Sequence, residues 1–313
     1  MRKRWTALLL SLLAAGLLAA ACGSGEDVRD LDVQVASYEL VAGRENRLMV
    51  GLLTPEGDFV SYGSVEMRFS YLGESRAQGE PQPAGEATGA FLPVPGEGAA
   101  DPPDRPQIGP ASQGRGVYAA EPVIFERPGF YQVEVTADLA DGGRGRGTAA
   151  FRVLAEPQVP APGQPAIPSR TLTVDSDAPP GAIDSRARTQ GRVPDPELHA
   201  KSLDQALQEG RPILLVFATP VYCVSQFCGP VTDLAADLQR EYGDRVTVIH
   251  VEIWHDFDQQ QINRAAADWL YRNGNLQEPW FFLIGRDGTI LDRWDNLATR
   301  EDLAAAIQRA LGS

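Results

Sequence analysis

The chain has 313 residues, and its 28 Lys and Arg against 42 Asp and Glu give a formal charge of -14. That balance argues against a phosphate-backbone partner, which needs clustered Lys and Arg to release counterions, so no nucleic acid is expected. A hydrophobic content of 43% excludes wholesale disorder, three cysteines exclude a disulfide-dense scaffold, and the length suggests two domains.

Met1-Arg2-Lys3-Arg4 is basic, residues 7–21 are apolar, and Cys22 follows. This order predicts a secretory signal over 1–21, since the run falls short of the roughly 20 residues that span a bilayer as a helix. Leu18-Ala19-Ala20-Ala21-Cys22-Gly23 resembles the lipobox of bacterial lipoproteins. The resemblance implies that Cys22 is acylated, becomes the first residue of the mature chain and anchors it to the membrane on the extracytoplasmic side. The family prefers Leu three residues before the cysteine, where this chain has Ala19, so ordinary cleavage after Ala21 stays open as an alternative. Residues 22–30 read as a flexible acidic tether.

Residues 31–154 read as short strands. Val65, Met67, Phe69 and Tyr71 alternate on one face with period two, and 117–125, 130–139 and 148–154 follow, with Pro128-Gly129 and Asp141-Gly142-Gly143 as turns. An antiparallel sandwich is expected. The stretch 127–135 resembles the turn and penultimate strand of immunoglobulin-like domains, which makes Tyr131 the candidate corner tyrosine. Residues 79–116 hold eight Pro and eight Gly and read as a mobile insertion.

Residues 155–196 hold nine prolines, against four in 197–313, which predicts a linker that is partly polyproline II. From 197 onward helix and strand alternate. Ser202 precedes an amphipathic helix ending at Gly210, and 212–217 is a continuous apolar run suited to a strand buried on both faces. A helix over 230–242, a strand over 246–253, a helix over 259–271, a hairpin over 280–294 and a last helix capped by Thr299 and Asp302 complete the pattern. Trp254, Trp269, Trp280 and Trp294 read as core and rim packing.

Cys223 and Cys228 lie between the first buried strand and the next helix, with Tyr222 before one cysteine and Gly229-Pro230 after the other. With Glu278-Pro279 entering a hairpin strand, segment 197–313 resembles the thioredoxin superfamily. The resemblance implies a thiol–disulfide exchange site at the cysteines, a cis proline at Pro279 packed against them, and a Glu278 backbone that pairs with substrate. A thiolate is the nucleophile in such exchange, and a helix amino terminus favours it. Four residues separate these cysteines where thioredoxins have two. One alignment makes Cys223 the attacking residue and Cys228 the resolver; the other makes Cys228 the attacking residue, with Val231 where the second family cysteine would be. Loop exposure favours the first and helix-end electrostatics the second.

His250 falls where thioredoxins carry a buried lysine and is a candidate for proton transfer to the leaving thiolate, with a hydrogen-bonded core histidine as the alternative. An inert staple is the alternative for the cysteines, although a six-residue ring contributes only about 2 kcal/mol. The sequence therefore points to a membrane-anchored two-domain protein, an all-β immunoglobulin-like sandwich followed by an α/β thioredoxin-like fold. It is expected to exchange disulfides with exported thiol or disulfide proteins and a redox partner, without cofactor or resident metal. Two other readings stay open. One is a Sco-like copper-binding assembly factor using the cysteines with His250 or His255. The other is a redox-inactive envelope scaffold.

Overall fold

In a computed structural model, residues 27–75, 80–224 and 227–312 are described; Cys22 and the signal and lipidation readings lie outside them. Among the described residues no helix is long and apolar enough to cross a membrane.

The amino-terminal half is one curled ten-stranded sheet. Its strands are β1 (Val28–Asp30), β2 (Asp32–Val35), β3 (Glu45–Leu53), β4 (Phe59–Ser61), β5 (Ser64–Gly73), β6 (Gln82–Pro93), β7 (Gln107–Gly109), β8 (Gly116–Ile124), β9 (Gly129–Asp138) and β10 (Arg144–Val153). They run in the order β1-β10-β9-β5-β6-β8-β3-β4-β7. The chain changes partner at Leu31: β1 lies parallel to β10, while β2 pairs with β3, which helps to curl the sheet. Val65, Met67, Phe69 and Tyr71 all face the core, and Phe69 and Met67 stand opposite Val133 and Val135 on β9. Each such fully buried side chain contributes about 1.5–3 kcal/mol relative to exposure. Tyr131 is buried, and its hydroxyl donates to the Arg127 carbonyl at 2.9 Å.

The stretch 79–116 is not an insertion outside the core: it supplies β6, between β5 and β8. Its small residues permit close packing, since a Cβ at Gly89 would stand 2.3 Å from the Met67 methyl.

The carboxy-terminal half holds α1 (Pro180–Ile183), α2 (Ala187–Gln190), α3 (Leu203–Gln208), β11 (Ile213–Ala218), α4 (Cys228–Tyr242), β12 (Thr247–Glu252), β13 (Trp254–Asp256), β14 (Gln261–Ile262), α5 (Arg264–Leu270), β15 (Trp280–Ile284), β16 (Ile290–Asp295) and α6 (Arg300–Gly312). Its main sheet runs β12-β11-β15-β16, with β11 parallel to β12 and antiparallel to β15. Every residue of β11 is buried. Leu214, Val216 and Ala218 pack with α4 and α6, whereas Ile213, Leu215 and Phe217 pack with α3 and α5, so the period-two pleat feeds two cores. The expected helix over 259–271 shortens to α5, because 261–262 pair with β13 and the Asn263 amide is committed to the Ala182 and Glu252 carbonyls.

Segment 155–196 also departs from the expected linker. The Gly163 and Ala166 amides donate to Ile290 and Gly288 of the hairpin, and Val159 and Ala166 enter the core beside Trp269. Proline removes donors only where it stands, and the intervening amides and apolar side chains still find partners.

Candidate functional site

β11 delivers the chain to the end of the sheet, residues 219–224 follow outside helix and strand, and α4 begins at Cys228. The Cys223 amide donates to the Thr219 carbonyl at 3.2 Å, which folds the loop back. Cys223 and Cys228 form a disulfide with their Cα atoms 6.0 Å apart. Cys228 is fully buried and Cys223 is half-buried. Around Cys223 lies exposed apolar surface, with Val224 95% and Val221 53% accessible. Tyr222 stacks flat on Phe257 at 3.8 Å, and Arg188 donates to the Tyr222 hydroxyl at 2.8 Å. These groups, with Trp254, Pro179 and Pro180, line a groove of about 400 Å³ beside the disulfide.

The Glu278–Pro279 peptide is cis, at the start of β15. Glu278 contributes through two different groups. Its carbonyl accepts the Tyr38 hydroxyl at 2.5 Å, so the backbone that the family resemblance offers to substrate holds the amino-terminal half here. Its carboxyl Oε2 lies 2.8 Å from Cys228 Sγ. Burial pushes the Glu278 carboxyl up to about 7, against a hydrogen bond from the Thr219 backbone, and the Glu252 charge raises it further. Glu252 is itself pushed up to about 7 by burial, although the Ser185, Ile253 and Trp254 amides donate to it.

His250 is fully buried on β12. Its Nε2 lies 3.0 Å from the Ala218 carbonyl, and its Nδ1 faces His199 Nε2 at 3.4 Å. Burial lowers its pKa to about 3, so the ring is neutral at ordinary pH. The structure brings Cys223, Cys228 and Glu278 together, with Pro279 next to Glu278 in the chain. It places His250 in a separate cluster with Asp184 and His199, while the donors grouped at the cysteines are two sulfurs and the Glu278 carboxylate, with no histidine among the described residues. A hard oxygen suits Cu(I) poorly as a third ligand, which weighs against the copper reading. His255 lines the groove instead.

The sequence reading missed the Glu278 side chain, Glu252 and Tyr38. An acid directly before Pro279 and the apolar run 280–284 was the available signal: a carboxyl held beside a strand buried on both faces is bound to be desolvated.

No protein-family model and no curated protein matches the chain. Among solved structures it is similar to a thioredoxin-family thiol:disulfide interchange protein from Chlorobium tepidum TLS, at 15% identity and TM-score 0.29, covering 50% of this chain and 100% of that one. It is also similar to PcoC, a methionine-rich copper resistance protein from Escherichia coli, at 16% identity and TM-score 0.21, covering 39% of this chain and 97% of that one. Scores of this size leave the chemistry to the site's own geometry.

Proposed function

We propose that the protein is a lipid-anchored, extracytoplasmic thiol–disulfide oxidoreductase of thioredoxin-like fold, carried beside an immunoglobulin-like sandwich and acting on exported proteins. The observation that carries this reading is a disulfide at the end of the sheet whose inner sulfur touches a carboxyl poised near neutrality. Helices on both faces of the β12-β11-β15-β16 sheet support the thioredoxin-like assignment, and the Tyr131 hydrogen bond to Arg127 supports the sandwich. The basic start, apolar run and Cys22 support the address.

Cys223 is the attacking residue, because Cys228 is closed to a protein substrate. In the oxidising direction a substrate thiolate attacks Cys223 Sγ, the Cys223–Cys228 bond breaks, and its electron pair goes to Cys228. The Glu278 carboxylic acid protonates that sulfur as it leaves. A second substrate thiolate then displaces Cys223, so two electrons pass from the substrate dithiol to the protein. In reverse, the Glu278 carboxylate takes the Cys228 thiol proton and Cys228 resolves the mixed disulfide. The groove at Tyr222, Phe257 and Trp254 receives the apolar residues that flank a substrate cysteine.

The test is the reduction potential of the pair, together with exchange against a thiol peptide. A potential above about -300 mV with turnover is expected, and one below that value without exchange marks a structural bond.

A further inference from the structure

Asp184, His199 and His250 are all fully buried and come from three separate pieces of chain: the end of α1, the turn Pro196–His199 and strand β12. Their facing atoms form a closed triangle. His250 Nδ1 stands 3.4 Å from His199 Nε2, His199 Nε2 stands 3.6 Å from Asp184 Oδ2, and that oxygen stands 3.7 Å from His250 Nδ1. All three separations exceed the roughly 2.7–3.2 Å of an ordinary hydrogen bond.

The proton count sharpens this picture. The Ala218 carbonyl can only accept, so His250 carries its proton on Nε2 and turns a lone pair on Nδ1 toward the triangle. Asp184 turns a second lone pair inward. Only one proton, on His199 Nε2, is then available for three converging atoms; an ion bound there takes its place and moves it to His199 Nδ1, which has no other partner among the described residues. A cation accepts all three lone pairs at once. We infer that Asp184, His199 and His250 form a binding site for one divalent transition-metal ion of the zinc class, clamping the segment before α3 onto β12.

Distance, charge and support agree with this assignment. A tetrahedral ion whose ligand atoms lie 3.4–3.7 Å apart has bonds of about 2.1–2.3 Å, within roughly 0.2 Å of zinc–imidazole and zinc–carboxylate lengths. Two imidazoles and one carboxylate, with a fourth position left for water, make a donor set that zinc accepts. Arg186 pairs with Asp184 at 2.8 Å, Asp195 at 3.1 Å and Asp233 at 3.2 Å, so three carboxylates share one guanidinium and leave two negative charges in excess. Arg240 reaches this group only at 4.0 Å from the exposed surface. A dication balances the excess. Behind the ligands, the Ala218 carbonyl orients His250, while the Arg186 amide and guanidinium orient Asp184, as outer-shell groups do in metal sites.

The experiment refolds the full chain with Zn(II) or Co(II), removes excess metal, and measures bound metal and the visible spectrum. Variants His199→Gln and His250→Gln are compared with the double variant Cys223→Ser, Cys228→Ser. The expected result is one tightly held equivalent, a tetrahedral Co(II) spectrum without a thiolate band, and retention in the cysteine variant. Affinity should fall by more than about 100-fold in the histidine variants, beyond the loss of an outer-shell group. Absence of metal from the wild-type chain, or retention in His199→Gln with loss in the cysteine variant, overturns the site. Should the histidine variants fail to fold, wild-type melting decides: a higher midpoint after refolding with zinc supports the site, and an unchanged midpoint overturns it.

Discussion

Glu278 makes two distant contacts at once, with its carbonyl on Tyr38 and its carboxyl on Cys228. Held up at about 7, the carboxyl is half ionised near neutrality, where a proton-transfer group works best. Resolution by Cys228 needs the carboxylate, so its rate should rise with pH through about 7; leaving-group protonation should fall over the same window. Glu278→Gln is expected to remove this inflection and slow resolution by about 100-fold, read by stopped-flow over pH 5 to 9. Glu252→Gln removes a neighbouring anion and should move the inflection to lower pH. An inflection that survives in Glu278→Gln would show that another group moves the proton. Cys228→Ser should leave a substrate trapped on Cys223, and mass spectrometry that finds the adduct missing would reverse the order of attack. Because Glu252 and Glu278 are raised in the fold, the stability they lend is full below their ordinary value of 4.5 and lost as pH rises through about 7. For Glu252, nearly inaccessible to solvent, this is up to roughly 3 kcal/mol, and Glu252→Gln should flatten the fall of melting temperature between pH 5 and 8.

Among the elements, α5 does more than cover the sheet. Trp269 is fully buried between Phe217 and Phe282, and its indole N–H donates to Ser169 at 3.1 Å. Helix, sheet and the proline-rich segment thus share one side chain. Trp269→Ala should cost about 3–5 kcal/mol and expose the peptide bonds around Ser169 to protease before the sheet core is cut. Ser169→Ala deletes only the hydroxyl and should cost about 1 kcal/mol, which separates the packing contribution from the hydrogen bond. Equal losses in the two variants, measured by denaturant unfolding, would contradict this division.

The two halves meet beside the Cys223–Cys228 disulfide. Tyr38 packs on Trp280, Glu39 pairs with Arg293 at 2.6 Å, and Asn296 donates to the Ala36 carbonyl at 2.9 Å. Met49, Val117 and Ala119 of the large sheet enclose Leu297, with Phe227 against them one residue before Cys228. Interface packing therefore reaches the sulfur pair directly. Tyr38→Phe keeps the ring on Trp280 but frees the Glu278 carbonyl. Exchange with an extended peptide should accelerate several-fold while exchange with a small thiol stays constant, and equal effects on both would show that Tyr38 does not guard that edge. Leu297→Ala should cost about 2–5 kcal/mol and, if the halves unfold as one unit, lower a single calorimetric transition rather than split it.

Much of this was legible along the chain. Period-two alternation at Val65 to Tyr71, the apolar run that became β11, the cap at Thr299 and Asp302, and two cysteines at a helix start are local signals, encoded within a few residues. The proline-rich segment and the stretch 79–116 depart from the expected linker and insertion for the same reason: composition reports the lack of local preference, not the presence of a distant surface to bind. What the fold alone settled are the meetings of remote residues. Glu278 finds Cys228 fifty positions away, His199 finds His250 fifty-one away, and Tyr38 reaches Glu278 across 240. Such contacts depend on strand register and on how two sheets dock, and a carboxyl's acidity follows from the burial that docking creates.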